Sequence, residues 1–223
     1  MKAKNIFSAL VDLIFPPRCV FCGTVVPPST LVCEKCGREI TCINVVKCIE
    51  LPSVGKTVPC AVPYSYEGTI RQSIINFKFY GQTQFRGLYS EKMAEHMKIS
   101  FSDYHFDAIT SVPISAKRRK LRGYNQSELI ARSTGKYLNL PYHEYLIKTE
   151  DNKEQHKLSE IQRQRNVKGV YKPKRESQIV GKNILLVDDI VTTGATLREC
   201  ATVLFQSGAS GVACAAIAEV EFE

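Results

Sequence analysis

The sequence predicts an α/β fold, a parallel sheet flanked by helices, preceded by a small module that needs a metal ion to hold its shape. Three observations lead there. From Cys60 onward, short apolar strands alternate with stretches whose apolar residues recur at helical spacing. Within that part, "ILLVDDIVTTGAT" (184–196) runs an apolar strand into two aspartates, a Thr-Gly turn and a helix. Ahead of it, seven of the nine cysteines fall in the first 60 residues, four of them as C-x-x-C pairs.

The 223 residues suffice for one α/β domain and a small appendage, divided by composition into residues 1–58 and 59–223. Phe7, Leu10, Val11, Ile14 and Phe15 mark one face of a short packing or partner helix that stops at Pro16. Asp12 breaks that apolar stretch and no small-residue cleavage site follows, so it does not read as a signal peptide. No apolar run is long enough to cross a membrane. Strands are expected at 61–66, 106–113, 183–189 and 211–220. Helices are expected from Ile70 through Phe77, closed by Lys78, and then at 85–97, 125–140 and 196–206. Asn125 is the expected cap of the third, with Glu128 three residues on. Between 141 and 182 a long polar loop is expected.

The pairs Cys19/Cys22 and Cys33/Cys36 are ten residues apart. Each C-x-x-C turns two thiolates toward one point, and two such turns close a tetrahedron around Zn2+. Gly23 and Gly37 follow the second cysteine of each pair, where a tight turn calls for positive φ. An odd cysteine count without a secretion signal points to a reducing, cytoplasmic compartment rather than a disulfide framework. Cys42, Cys48 and Cys60 lack the spacing for a second zinc, and Cys200 and Cys214 sit in apolar patterns expected in the core.

In an open parallel sheet, ligands bind beyond the carboxyl ends of the strands. Asp188 and Asp189 stand at such an end, placed to accept hydrogen bonds from vicinal ribose hydroxyls. Thr192, Thr193, Gly194, Ala195 and Thr196 then offer amides and hydroxyls at a helix N-terminus, which suits an anionic phosphate. The net charge of +8 is concentrated: residues 115–175 hold 16 lysines and arginines against 6 acids, and the remainder 14 against 16. Such a field favours phosphate, pyrophosphate or nucleic acid as partner.

Residues 184–196 match at every position the 5-phosphoribosyl-1-pyrophosphate (PRPP) signature of type I phosphoribosyltransferases, and the chain resembles that fold. The resemblance implies that the turn holds the 5′-phosphate, that the acids hold the ribose hydroxyls, and that Mg2+ arrives with the pyrophosphate. "FPPRCVFCG", "SVPISAKRRKLRGYNQSELIA", Gln155, "RNVKG" and "VDDIVTTGAT" together resemble the ComF (ComFC-like) family of competence proteins over nearly the whole chain. By that resemblance Arg118, Arg119, Arg122 and Gly123 are candidates for binding pyrophosphate or DNA phosphate. Gln155, Arg163 and Asn166 are likewise candidates on a mobile loop closing over PRPP. Many chains of this family carry further C-x-x-C pairs, which are missing here.

Three roles follow from the resemblance. The first is handling of incoming single-stranded DNA during natural transformation by a protein that also binds PRPP. Tyr124, Tyr142, Tyr145, Tyr171 and Phe21 are then candidates for stacking on bases. The second is an active phosphoribosyltransferase whose acceptor pocket would come from residues 59–105 or the zinc module. The third is a docking scaffold for a ComFA-like helicase.

Overall fold

A computed structural model of the protein describes residues 16–28, 30–149 and 169–220. The expected helix at 7–15 and the loop residues Gln155, Arg163 and Asn166 lie outside them. After the cysteine knuckles and the short helix α1 (Glu34–Glu39) come strands β1 (Cys42–Leu51) and β2 (Lys56–Ser65). Helices α2 (Gly68–Phe79) and α3 (Phe85–Ser100) lead to β3 (Ala108–Ser111), α4 (Ala116–Arg122) and α5 (Gln126–Leu138). Strands β4 (Leu146–Lys148) and β5 (Tyr171–Pro173) precede β6 (Asn183–Val191), α6 (Ala195–Gln206) and β7 (Gly211–Glu219).

The main sheet runs β1-β2-β7-β6-β3; β2, β7, β6 and β3 are parallel and β1 is an antiparallel edge. Residues 184–187 of β6 and 212–218 of β7 are continuously apolar because both faces of these strands are covered. Ile184 and Leu186 point to a layer with α6, Ile49, Leu51 and the small β4-β5 sheet, whereas Leu185 and Val187 point to α2, α3 and α5. Helices therefore cover both faces, as expected, and Cys200 and Cys214 are fully buried in the core.

The antiparallel edge was not expected. Strand β1, which composition places with the cysteine module, pairs with β2 from Val45 to Leu51, so the division expected after residue 58 falls inside β2. Its apolar pattern is masked by an irregularity between Cys42 and Val45, where Asn44 takes φ 46°. The stretch 141–182 is also not one loop. Leu146–Lys148 pairs antiparallel with Tyr171–Pro173, and Tyr145 and Tyr171 are buried beneath that pair, out of reach of any nucleic-acid base. Residues 116–122, read from sequence only as a basic run, form α4, capped by the Ser115 hydroxyl. Asn125 caps α5 as expected, but the buried Glu128 carboxylate pairs with Arg119 and Arg132 at 3.0 and 2.9 Å.

Gly135 sets how closely α5 lies on the sheet. A Cβ there would stand 2.7 Å from the Leu140 carbonyl oxygen and 3.0 Å from Ile109 Cγ2, and the backbone oxygen has little room to retreat. Gly135→Ala is expected to destabilise the protein by about 1–3 kcal/mol despite alanine's better helix propensity. An unchanged melting temperature would contradict this packing.

Candidate functional site

Helices α5 and α6 lie on opposite faces of the sheet, so the carboxyl ends of β3 and β6 open into a crevice between their N-termini. Asp188 and Asp189 stand at its mouth. The Asp188 carboxylate accepts the Ser127 hydroxyl at 2.9 Å and the Asp189 amide at 2.8 Å, and is 8% exposed. Burial, and then the neighbouring Asp189 charge, push its carboxyl up from the usual 3.8 to about 7. Asp189 faces the other way and meets the Lys78 ammonium at 3.0 Å.

Beyond Val191 the chain turns through Thr192 and Thr193 to Gly194, whose φ of 70° a side chain would strain. Thr193 Oγ1 accepts the Ala195 amide at 3.4 Å, and Thr192, Thr193 and Thr196 are partly exposed around the start of α6. The amides at this helix start and the threonine hydroxyls around the turn are groups that can take an anionic phosphate. The acids beside them can take hydroxyls. Ile49 of β1 packs against Gly194, and Lys47 on the same strand reaches Glu219 at 2.6 Å, an ion pair rather than an aligned hydrogen bond.

The basic run divides in two. Arg118 lies close enough to the buried Tyr171 phenol for its charge to act there. Arg119 instead pairs with Glu128 at 3.0 Å and Glu144 at 3.6 Å. "RGYNQ" forms a clasp. Arg122 lies over the Phe79 ring at 4.7 Å and donates to Gln126 Oε1 at 3.3 Å, while Gly123 ends α4 at φ 80°. The Tyr124 hydroxyl donates to the Phe77 carbonyl, Asn125 Nδ2 to the Val112 carbonyl at 2.9 Å, and Gln126 Nε2 to the Lys78 carbonyl at 3.3 Å. The motif thus ties the end of α2 to the strand ends. Sequence reading did not find Lys78 or Ser127 as site residues. Lys78 offers only a lysine at a helix end, and Ser127 only its place directly after "RGYNQ".

Tyr142 is partly buried, with its hydroxyl 3.0 Å from that of Ser111 and Arg132 over its ring at 4.1 Å. Around it Arg86, Leu129, Arg132, Lys136 and Asn139 border an open groove of about 690 Å3. Phe21 packs on Phe85, with ring centroids 5.6 Å apart, and so joins the cysteine module to α3.

Cys19, Cys22, Cys33 and Cys36 bring their sulfurs within 4.8 Å of one another. Tetrahedral Zn2+ with Zn–S of about 2.3 Å needs sulfurs about 3.8 Å apart, so the four thiols fit a structural zinc. Gly23 takes φ 75° as expected, whereas Gly37 lies inside α1, where the ordinary helical conformation serves. Among the described residues Cys42, Cys48 and Cys60 join no metal-binding group.

Residues 10–59 match the family described as double zinc ribbon domain, and residues 127–221 match the phosphoribosyl transferase domain. "Competence protein F" of Haemophilus influenzae is 30% identical over 197 residues, covering 79% of each chain. "DNA utilization protein YhgH" of Escherichia coli K12 is 26% identical over 200 residues, 87% of this chain and 86% of that one. "Competence protein ComFC" of Bacillus subtilis is 30% identical over 145 residues, 65% of this chain and 57% of that one.

Proposed function

The chain belongs to the competence protein F (ComF) family, and from that premise we propose that it handles single-stranded DNA taken up during natural transformation while binding PRPP at the β6–α6 turn. The observation that carries this reading is that the cations fall into two groups. Lys78 reaches Asp189 and Arg118 acts on the Tyr171 phenol, whereas Arg86, Arg132 and Lys136 border the groove beside Tyr142. One set suits a phosphorylated sugar. The other suits a nucleic-acid backbone, with the Arg132–Tyr142 stack as a platform for a base. Four thiols grouped for zinc, with the other five cysteines outside any disulfide, fit a reducing cytoplasm. Among the described residues no helix is long and apolar enough to cross a membrane.

Mg2+, when carried by PRPP, would meet the Asp188 and Asp189 oxygens, which are the hard donors it prefers, and would offset charge on the pyrophosphate. The chain's own residues then divide the work. The threonine turn takes the 5′-phosphate, the acids take the sugar, and the clasp holds α2 against them. The same division supports transfer of phosphoribosyl to an acceptor as a second reading, because Asp188, pushed up to about 7, can take up or release a proton near neutrality. PRPP consumption with pyrophosphate release that vanishes in Asp188→Ala is its signature.

Anisotropy titration with a short oligodeoxythymidylate tests the first reading. Affinity is expected to fall steeply with added salt, by about 0.7 logarithmic units per phosphate contacted for each tenfold rise in salt. Changing Arg86, Arg132 and Lys136 together to glutamine is expected to lower that slope by about 2 and to leave PRPP binding intact. Absent or salt-independent binding by zinc-loaded protein would reject DNA handling.

A further inference from the structure

We propose that Lys78 is a recognition residue of the ribose side of this site, acting on the sugar both directly and through Asp189. The inference rests on the PRPP reading and extends it to a residue outside the signature and outside the stretch that matches the phosphoribosyl transferase domain.

The geometry begins with the chain. Helix α2 stops at Phe79, and the Tyr80 amide donates back to the Asn76 carbonyl before Gly81 turns the chain at φ 67°. Just before this stop, three successive residues are fastened from one motif: Phe77 by its carbonyl to Tyr124, Lys78 by its carbonyl to Gln126, and Phe79 by its ring under Arg122. The Phe77 and Tyr124 rings also pack at 5.9 Å. Of these three side chains, only the Lys78 ammonium reaches the acid pair.

The energetics argue against a purely structural role. The Lys78 and Asp189 side chains are 16% and 14% exposed, so both groups are largely stripped of water. Desolvation then offsets most of the Coulomb attraction, and such a pair adds little stability over an apolar replacement. A clasp aimed at an ion pair of small net worth makes sense if the pair is used. A lysine ammonium has three donors, and Asp189 Oδ1 takes one of them. Those remaining can reach a ribose oxygen, while the second oxygen of Asp189 accepts a sugar hydroxyl. The threonine turn separately holds the 5′-phosphate, so loss of Lys78 should affect sugar-bearing ligands selectively.

Isothermal titration of full-length, zinc-loaded protein with PRPP–Mg2+, ribose 5-phosphate and inorganic pyrophosphate tests this. Lys78→Met is expected to weaken PRPP–Mg2+ and ribose 5-phosphate about ten-fold or more and to leave pyrophosphate unchanged. Lys78→Arg, which keeps the charge, should recover most of the loss. Lys78→Met binding ribose 5-phosphate as well as wild type would overturn the inference, as would equal losses for all three ligands. Wild-type protein that binds pyrophosphate alone would overturn the PRPP reading and the inference with it. Should the methionine variant fail to fold, Lys78→Gln takes its place with the same outcomes.

Discussion

Cys36→Ser is expected to strip the protein of its zinc and to unfold the module around it. Among the described residues the buried core around the four thiols is Cys19, Val26 and Cys36, with Phe21, Val32 and Cys33 partly covering it. Burying one valine and two thiols yields a few kcal/mol, at about 1.5–3 kcal/mol for a large apolar side chain. Ordering the backbone costs about 1–2 kcal/mol for every residue fixed. Metal ligation closes that gap, since structural zinc sites of this kind contribute on the order of 10 kcal/mol or more to folding. The expected result is one zinc per chain in the wild type and almost none in the variant, read by elemental analysis. Rapid proteolysis between residues 16 and 40 should accompany the loss. Because Phe21 rests on Phe85, the start of α3 should loosen too, and hydrogen exchange there should accelerate. A folded, protease-resistant module without metal would refute the four-thiol assignment.

Asp188→Asn is expected to weaken ligand binding while making the protein more stable at alkaline pH. The carboxyl is buried and titrates near 7 when folded, against 3.8 in an exposed chain. Between those values the folded state holds a proton that the unfolded state has lost, so stability falls as pH rises through that window. Above it, the ionised carboxylate remains a standing cost. Asparagine keeps an oxygen for the Ser127 hydroxyl and the Asp189 amide but carries no charge. Melting temperatures from pH 4 to pH 9 should decline less steeply for the variant than for the wild type, whereas PRPP–Mg2+ affinity should drop about 10- to 100-fold through loss of a charged hydrogen bond. Stability retained against function is the mark of a site residue. A variant less stable at pH 8 with unaltered affinity would assign Asp188 to the fold alone.

What could be read from the residues differs by the range of the interactions involved. The cysteine pairs and the "VDDIVTTGAT" turn are local, because strand, acids, turn and helix follow one another in the chain. The parallel core was legible for the same reason, since 184–187 and 212–218 are unbroken apolar runs. Strand β1 was not, because its burial alternates imperfectly around Asn44 and its partner is chosen by the sheet. Helix α4 offered no signal in "AKRRKLR", a segment with no buried residue. Tyr145 and Tyr171 look like exposed aromatics in a polar stretch, and become core only once β4 meets β5 across a long separation in sequence. The meaning of "RGYNQ" was hidden for a similar reason. Its partners, Phe77, Lys78 and Val112, belong to other elements, so the fastening it makes could not be read from its own residues. Local chemistry announces itself in a sequence; a tether between distant segments does not.

The grip of the β6–α6 turn on a phosphorylated sugar is tested most directly by following backbone amide resonances of Thr192–Thr196 during titration with PRPP–Mg2+. Saturable shifts in those amides, together with Asp189 and absent in Asp188→Asn, are expected. Resonances that stay fixed there while folded, zinc-loaded protein is taken to millimolar ligand would mean that the acids and the turn serve some other purpose.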